Sequence, residues 1–188
     1  MKRVFFGIKI PFEGKVKSLI NETKLSFNHE NIKWVSPQNL HLTLLFMGDR
    51  EEEKIAEITD YLKERIIDRQ PFDLRLKGLG AFKSPGNPRV LWIGTEPSEE
   101  LQQLKYDLDR LLVDLGMDIE PDKAFHPHLT IARPKFIKDR NTLKNWIKEN
   151  KSRELDEITV SSFTFFESKL SSKGPIYNSL YSFEFVSR

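Results

Sequence analysis

The stretches Asn39-Leu-His-Leu-Thr-Leu-Leu-Phe46 and His126-Pro-His-Leu-Thr-Ile-Ala-Arg133 each carry His-Leu-Thr inside an apolar run. In an extended strand side chains alternate between faces, so His41 and Thr43 share one face, as do His128 and Thr130, while the leucines point the other way. Two such strands brought together place two imidazoles and two hydroxyls around one small anion. That set suits acid–base chemistry on a phosphate.

The surroundings of the two stretches repeat as well. Arg3-Val-Phe-Phe-Gly-Ile8 resembles Arg89-Val-Leu-Trp-Ile-Gly94, and 38 positions separate Arg3 from His41 where 39 separate Arg89 from His128. Helical spacing of Val16, Leu19 and Ile20 predicts a helix over 13–25. A strand is expected at 32–35 and the first motif strand up to Gly48, with Asp49 as the N-cap of a helix over 51–68. A strand over 72–82 and the breaker Ser84-Pro-Gly-Asn-Pro88 close the first half. In the second half a helix over 98–115 stops at Gly116, and a further helix lies around 141–151. One long strand over 158–167 and a last one over 179–186 complete it.

The expected fold is therefore α+β and bilobal: two β-α-β-α-β halves, roughly 1–88 and 89–188, related by a pseudo-two-fold axis. The two halves would form a single domain over 1–188.

Composition narrows the function. Thirty basic residues nearly cancel 28 acidic ones, a net charge of +2, so any nucleic-acid binding must come from a local patch and not from a global field. The absence of cysteine excludes disulfides and thiolate metal sites. No signal peptide or membrane span is evident, and a soluble, cytoplasmic protein, monomeric by default, is expected.

A lone strand histidine is ordinarily a satisfied core residue; two at equivalent positions of a repeat, each with a hydroxyl two residues on, read as catalytic. Thr43 and Thr130 read as donors to phosphate oxygens. Arg133 would fall on the opposite face, as a surface charge before Pro134, unless the strand ends or bulges near Ala132, in which case its guanidinium reaches the phosphate from the strand end. The equivalent position in the first half is Phe46, so such a clamp is asymmetric. His41, His126 and His128 could in principle hold zinc, but that leaves both threonines unexplained, and His126 reads as a rim residue. His29 reads as solvated. Phe5, Phe6, Trp34, Phe46, Phe82, Trp92 and Phe125 are candidates for stacking on a base, and Lys83, Arg89, Arg133 and Lys135 for a local basic rim.

Paired His-x-Thr motifs in a bilobal repeat resemble the two-histidine phosphoesterase superfamily, and within it the RNA 2′,3′-cyclic phosphodiesterases, historically called 2′-5′ RNA ligases. The likeness extends through Trp34-Val, Gly48, Leu79-Gly-Ala-Phe82, Pro88-Arg-Val-Leu-Trp92 and Leu115-Gly. It implies an α+β fold of two lobes, each an antiparallel sheet with flanking helices, and an active-site cleft between them lined by both motifs. It also implies a metal-independent enzyme without a cofactor that opens a terminal 2′,3′-cyclic phosphate to a 2′-phosphomonoester. His41 would be the proton donor to the ribose 3′-oxygen and His128 the acceptor that activates water, with Thr43, Thr130 and Arg133 on the phosphate. The implied partners are RNA ends, tRNA fragments among them, or small cyclic nucleotides, with 2′-5′ ligation as the reverse reaction. A non-catalytic RNA-end or nucleotide-binding module is the alternative. It is disfavoured because binding alone would more naturally use Arg or Lys than intact acid–base histidines.

Overall fold

The computed structural model describes residues 1–66, 69–84, 87–119, 124–172 and 174–186. In chain order the elements are β1 (Lys2–Lys9), α1 (Gly14–Ser26), β2 (Asn31–Trp34), β3 (His41–Arg50), α2 (Glu52–Lys63), β4 (Phe72–Ser84) and β5 (Asn87–Thr95), followed by α3 (Glu99–Asp114), β6 (His128–Phe136), α4 (Arg140–Asn150), β7 (Glu154–Val160), β8 (Ser162–Ser171) and β9 (Gly174–Glu184). The strands pair throughout as antiparallel neighbours in the order β7-β4-β5-β6-β3-β1-β8-β9, with β2 added against β6.

The fold is α+β, and its symmetry is legible in the strand order. The motif strands β3 and β6 lie at the centre and meet in one register pair, Leu42 opposite Leu129. β1 flanks β3 as β5 flanks β6. The next strand out crosses over: β8, from the second half of the chain, pairs with β1, and β4, from the first half, pairs with β5. Neither lobe is therefore built from one sequence half. The breaker at 84–88 does not separate lobes either, because β4 and β5 pair up to Ser84–Asn87; residues 85–86 of that breaker lie outside the described residues.

Several boundaries differ from the sequence reading. The expected strand over 158–167 is two strands divided at Ser161, one on β4 and one on β1, towards opposite ends of the sheet order. No Gly or Pro marks the break; the Ser161 carbonyl instead accepts from Phe185 N, just past the end of β9. β3 runs on to Arg50, so Asp49 is a strand residue facing Arg3 across the sheet and Glu51 is the N-cap of α2. That helix is assigned to Lys63, with Asp68 outside the described residues. α3 has the expected signals: Ser98 Oγ accepts from Leu101 N, and Gly116 ends it with φ +76°.

One contiguous core joins the two lobes. Leu42 and Leu129 are fully buried at its centre, with Phe6, Phe163, Phe165 and Phe183 packed on one side and Leu91, Ile93, Leu104 and Leu108 on the other. No helix among the described residues is long and apolar enough to cross a membrane.

Candidate active site

Counting one step either way from the Leu42–Leu129 pair sets His41 opposite Thr130 and Thr43 opposite His128. All four side chains lie on the face away from the buried leucines, and all four line one cavity of about 130 Å³. The remaining wall includes Trp34, Asn39, Phe46, Arg133, Pro175 and Tyr177.

Arg133 reaches the cavity through a bulge. On β5, Leu91 pairs with Ala132 and Trp92 with Thr130, which leaves Ile131 as the extra residue. One added residue flips the alternation beyond it and returns Arg133 to the histidine face. The carbonyl of Ile131 is taken up by Val35 N, just beyond β2. The equivalent bulge sits at Leu44 on β3, between the pairs Phe6–Leu45 and Gly7–Thr43, and it presents Phe46 to the cavity. The clamp is asymmetric: guanidinium on one side, an aromatic ring on the other.

Both histidines are held in the same way. His41 Nδ1 lies 2.7 Å from Asn39 O, and His128 Nδ1 lies 2.8 Å from His126 O. A carbonyl can only accept, so each Nδ1 carries a proton and each Nε2 is the reactive nitrogen. Their surroundings differ. His41 sits among Phe5, Tyr177 and Phe166, at ring separations of 4.9, 5.0 and 6.1 Å. Gly7 makes room for it, since a Cβ there would come within 2.9 Å of Leu42 O and 3.3 Å of the His41 ring. His128 is flanked by Phe82 edge-on at 4.8 Å and opens onto two further grooves.

Burial pushes the His41 pKa below its ordinary value, against the hydrogen bond to Asn39 O, and the nearby His128 and Arg133 charges push it further down. Folding therefore favours neutral His41. This contributes stability above the unfolded value of 6.5 that is lost as pH falls below it. A bound phosphate reverses the local sign. In a ¹H–¹⁵N titration the His41 midpoint is expected below that of free histidine and should move up when inorganic phosphate is added. An unmoved midpoint would show that the anion does not bind beside it.

His126 contributes its carbonyl to the site, while its ring borders the grooves on the far side of His128. Among the described residues no group of three His, Cys, Asp or Glu side chains could hold a metal ion. Phe6 is core; Phe5 is buried beneath His41; Trp34 and Phe46 line the cavity; Phe82, Trp92 and Phe125 line the grooves beyond His128. His29 is largely exposed beside Glu30, Arg89 and Lys135 are exposed, and the Lys83 side chain lies outside the described residues.

Two contributors carry no local sequence signal. Asn39 donates from Nδ2 to Pro175 O at 2.7 Å, which ties the start of β9 to the motif strand, and Tyr177 on β9 then stands edge-on to His41. Burial raises the Tyr177 pKa, so its hydroxyl stays protonated through the neutral range.

A sheet with this pseudo-symmetric order and one His-x-Thr pair on each central strand defines a two-histidine phosphoesterase. The sequence matches the LigT-like phosphoesterase family twice, over residues 8–92 and 93–177, and the chain belongs to that family. It is 38% identical over 185 residues to an RNA 2′,3′-cyclic phosphodiesterase of Archaeoglobus fulgidus, covering 97% of this chain and 99% of that one. It is 35% identical to the Thermotoga maritima protein of the same name, covering 97% and 95%. A crystal structure from Thermus thermophilus superposes with a TM-score of 0.79 at 29% identity over 98% of both chains. The fold is shared also with E. coli LigT, solved in complex with 3′-AMP, at a TM-score of 0.76, 24% identity and 99% coverage of both chains.

Proposed function

We propose that this chain hydrolyses the 2′,3′-cyclic phosphate at an RNA end to a 2′-phosphomonoester. The observation that carries the proposal is the pair of imidazoles, each fixed by a carbonyl at Nδ1, facing one small cavity with two threonines and an arginine. His128, the more open of the two, takes a proton from water at Nε2 as the water oxygen attacks phosphorus. The P–O3′ bond breaks on the opposite side, and the 3′-oxygen takes a proton from His41 Nε2. Thr43, Thr130 and Arg133 stabilise the non-bridging oxygens as charge builds on them. The donor role requires protonated His41, which its burial and the His128 and Arg133 charges disfavour; the substrate's own negative charge supplies the compensation. The step leaves His128 protonated, His41 neutral and the second proton on the product 3′-hydroxyl, and exchange with solvent resets the pair.

RNA ends, including tRNA fragments, and small cyclic nucleotides both fit this chemistry, as does 2′-5′ ligation by microscopic reversal. The same reading takes the enzyme as a cytoplasmic monomer, since one chain supplies every group of the scheme. Incubating a cyclic-phosphate-ended oligonucleotide with the protein in EDTA is expected to give the 2′-phosphate. Binding without turnover would mark a recognition module instead, and turnover abolished by EDTA a metal hydrolase. Arg133→Ala should lower kcat/KM about 10²-fold, in line with loss of one charged donor to a transition-state oxygen. A change under about twofold would remove Arg133 from the scheme.

A further inference from the structure

The cavity between the motifs is small. At about 130 Å³ it has room for roughly four waters, enough for a phosphate and the edge of its ribose. Thr43, Phe46 and His128 line this cavity and also a second, larger groove of about 600 Å³. Hydrolysis as proposed above uses none of this groove's other side chains.

Its lining is aromatic and cationic. Phe46, Phe82 and Phe125 supply rings, the first two 69% and 38% exposed, which is unusual for phenylalanine in a chain with so many others buried. Arg50 supplies a guanidinium that gives one N–H to Asp49 O, and its Nε, withdrawn from water, has no partner among the described residues. Lys105 also lines the groove, but it is committed to buried Asp109 and lies 5.9 Å from the Phe125 ring. Asp118 stands on the same wall. Among the described residues Arg50 is thus the groove's available Arg or Lys cation. Exposed rings beside a guanidinium are what a single-stranded nucleic acid requires: faces for a base and a donor for its phosphate.

We infer that this groove is a subsite for the nucleotide immediately 5′ of the cyclic end, with Arg50, Phe82 and Phe125 as the residues that set the preference for a longer end over a cyclic mononucleotide. The inference rests on the phosphodiesterase reading. The wall shared with the catalytic cavity, Thr43, Phe46 and His128, sets the second nucleotide against Phe82 and Phe125 with the connecting phosphate at Arg50.

The test compares kcat/KM for a nucleoside 2′,3′-cyclic phosphate and for a dinucleotide ending in the same group. The dinucleotide should be favoured at least about 10-fold, the contribution of one stacked base or one phosphate contact. Arg50→Gln should remove most of that preference and leave the mononucleotide rate within about twofold, and Phe125→Leu, which keeps an apolar side chain but loses the ring face, should act the same way. Equal constants for the two substrates, or equal losses on both in the variants, would overturn the subsite. Calorimetric binding of mono- and dinucleoside 2′-phosphates separates the two claims. If the protein turns over neither substrate yet binds the dinucleotide more tightly through Arg50, the phosphodiesterase reading fails and the subsite stands. Equal affinities would dismiss the subsite whatever the turnover.

Discussion

His128→Ala is expected to lower kcat/KM for a cyclic-phosphate-ended oligonucleotide by about 10³-fold, and His41→Ala by a similar factor, since a positioned general acid or base contributes about 10²–10⁴. The two losses should not multiply. Once water activation is gone, protonation of the leaving oxygen assists a step that is already failing, so the double variant should resemble the worse single one. His128 lies at a groove junction on the polar face, and its removal should leave the thermal midpoint nearly unchanged. His41 packs against Phe5 and Tyr177, so its alanine variant opens a small gap there, and His41→Asn is the better-packed control. Single-turnover assays with matched melting curves measure both effects. Full activity in either alanine variant would end the paired-histidine scheme.

The same pair predicts a bell-shaped rate profile between about pH 5 and 9, because one imidazole must be charged and the other neutral. His41 is lowered by burial and by the charges of His128 and Arg133. If it is the donor, kcat/KM depends on the rarer protonated form in the free enzyme, whereas kcat reports the complex in which phosphate has restored its proton affinity. A shift of the profile between the two parameters is the expected signature.

The motif strands were legible because local alternation and repetition agreed. His41, Thr43, His128 and Thr130 share a face for a reason contained in three consecutive residues, and the leucines between them are core for the same reason. Arg133 was legible only conditionally. Its side of the strand depends on whether Ile131 is paired, and that is decided by how β5 and β2 flank β6, not by any residue between His128 and Arg133. The division at Ser161 and the crossing of β4 and β8 between lobes are also settled by distant pairing partners. The Asn39–Pro175 bond, which brings Tyr177 to His41, joins residues 136 positions apart, beyond the reach of any local pattern. Local residue order carried the chemistry of the centre; the walls around it are set by long-range pairing.

That centre depends on a narrow junction, and Leu129→Ala should expose it. Leu42 and Leu129 are both wholly buried and form the register pair between β3 and β6, so truncating either is expected to cost about 2–5 kcal/mol in urea unfolding, through lost burial and the cavity left behind. Because the two residues are partners in register, the double variant should cost less than the two singles combined, as the second truncation enlarges an existing gap. Activity should fall even where the variant remains folded. The catalytic groups come from both strands, and a displacement near ~1 Å between His41 and His128 is enough to lose about 10²-fold in rate. A lobe-interior truncation of similar size, Leu104→Ala on α3, provides the contrast: comparable destabilisation with kcat/KM largely retained. If Leu129→Ala and Leu104→Ala lowered activity equally at matched stability, the central pair would be ordinary core. A selective loss at Leu129 would show that one pair of leucines holds in register the two half-sites on which the chemistry depends.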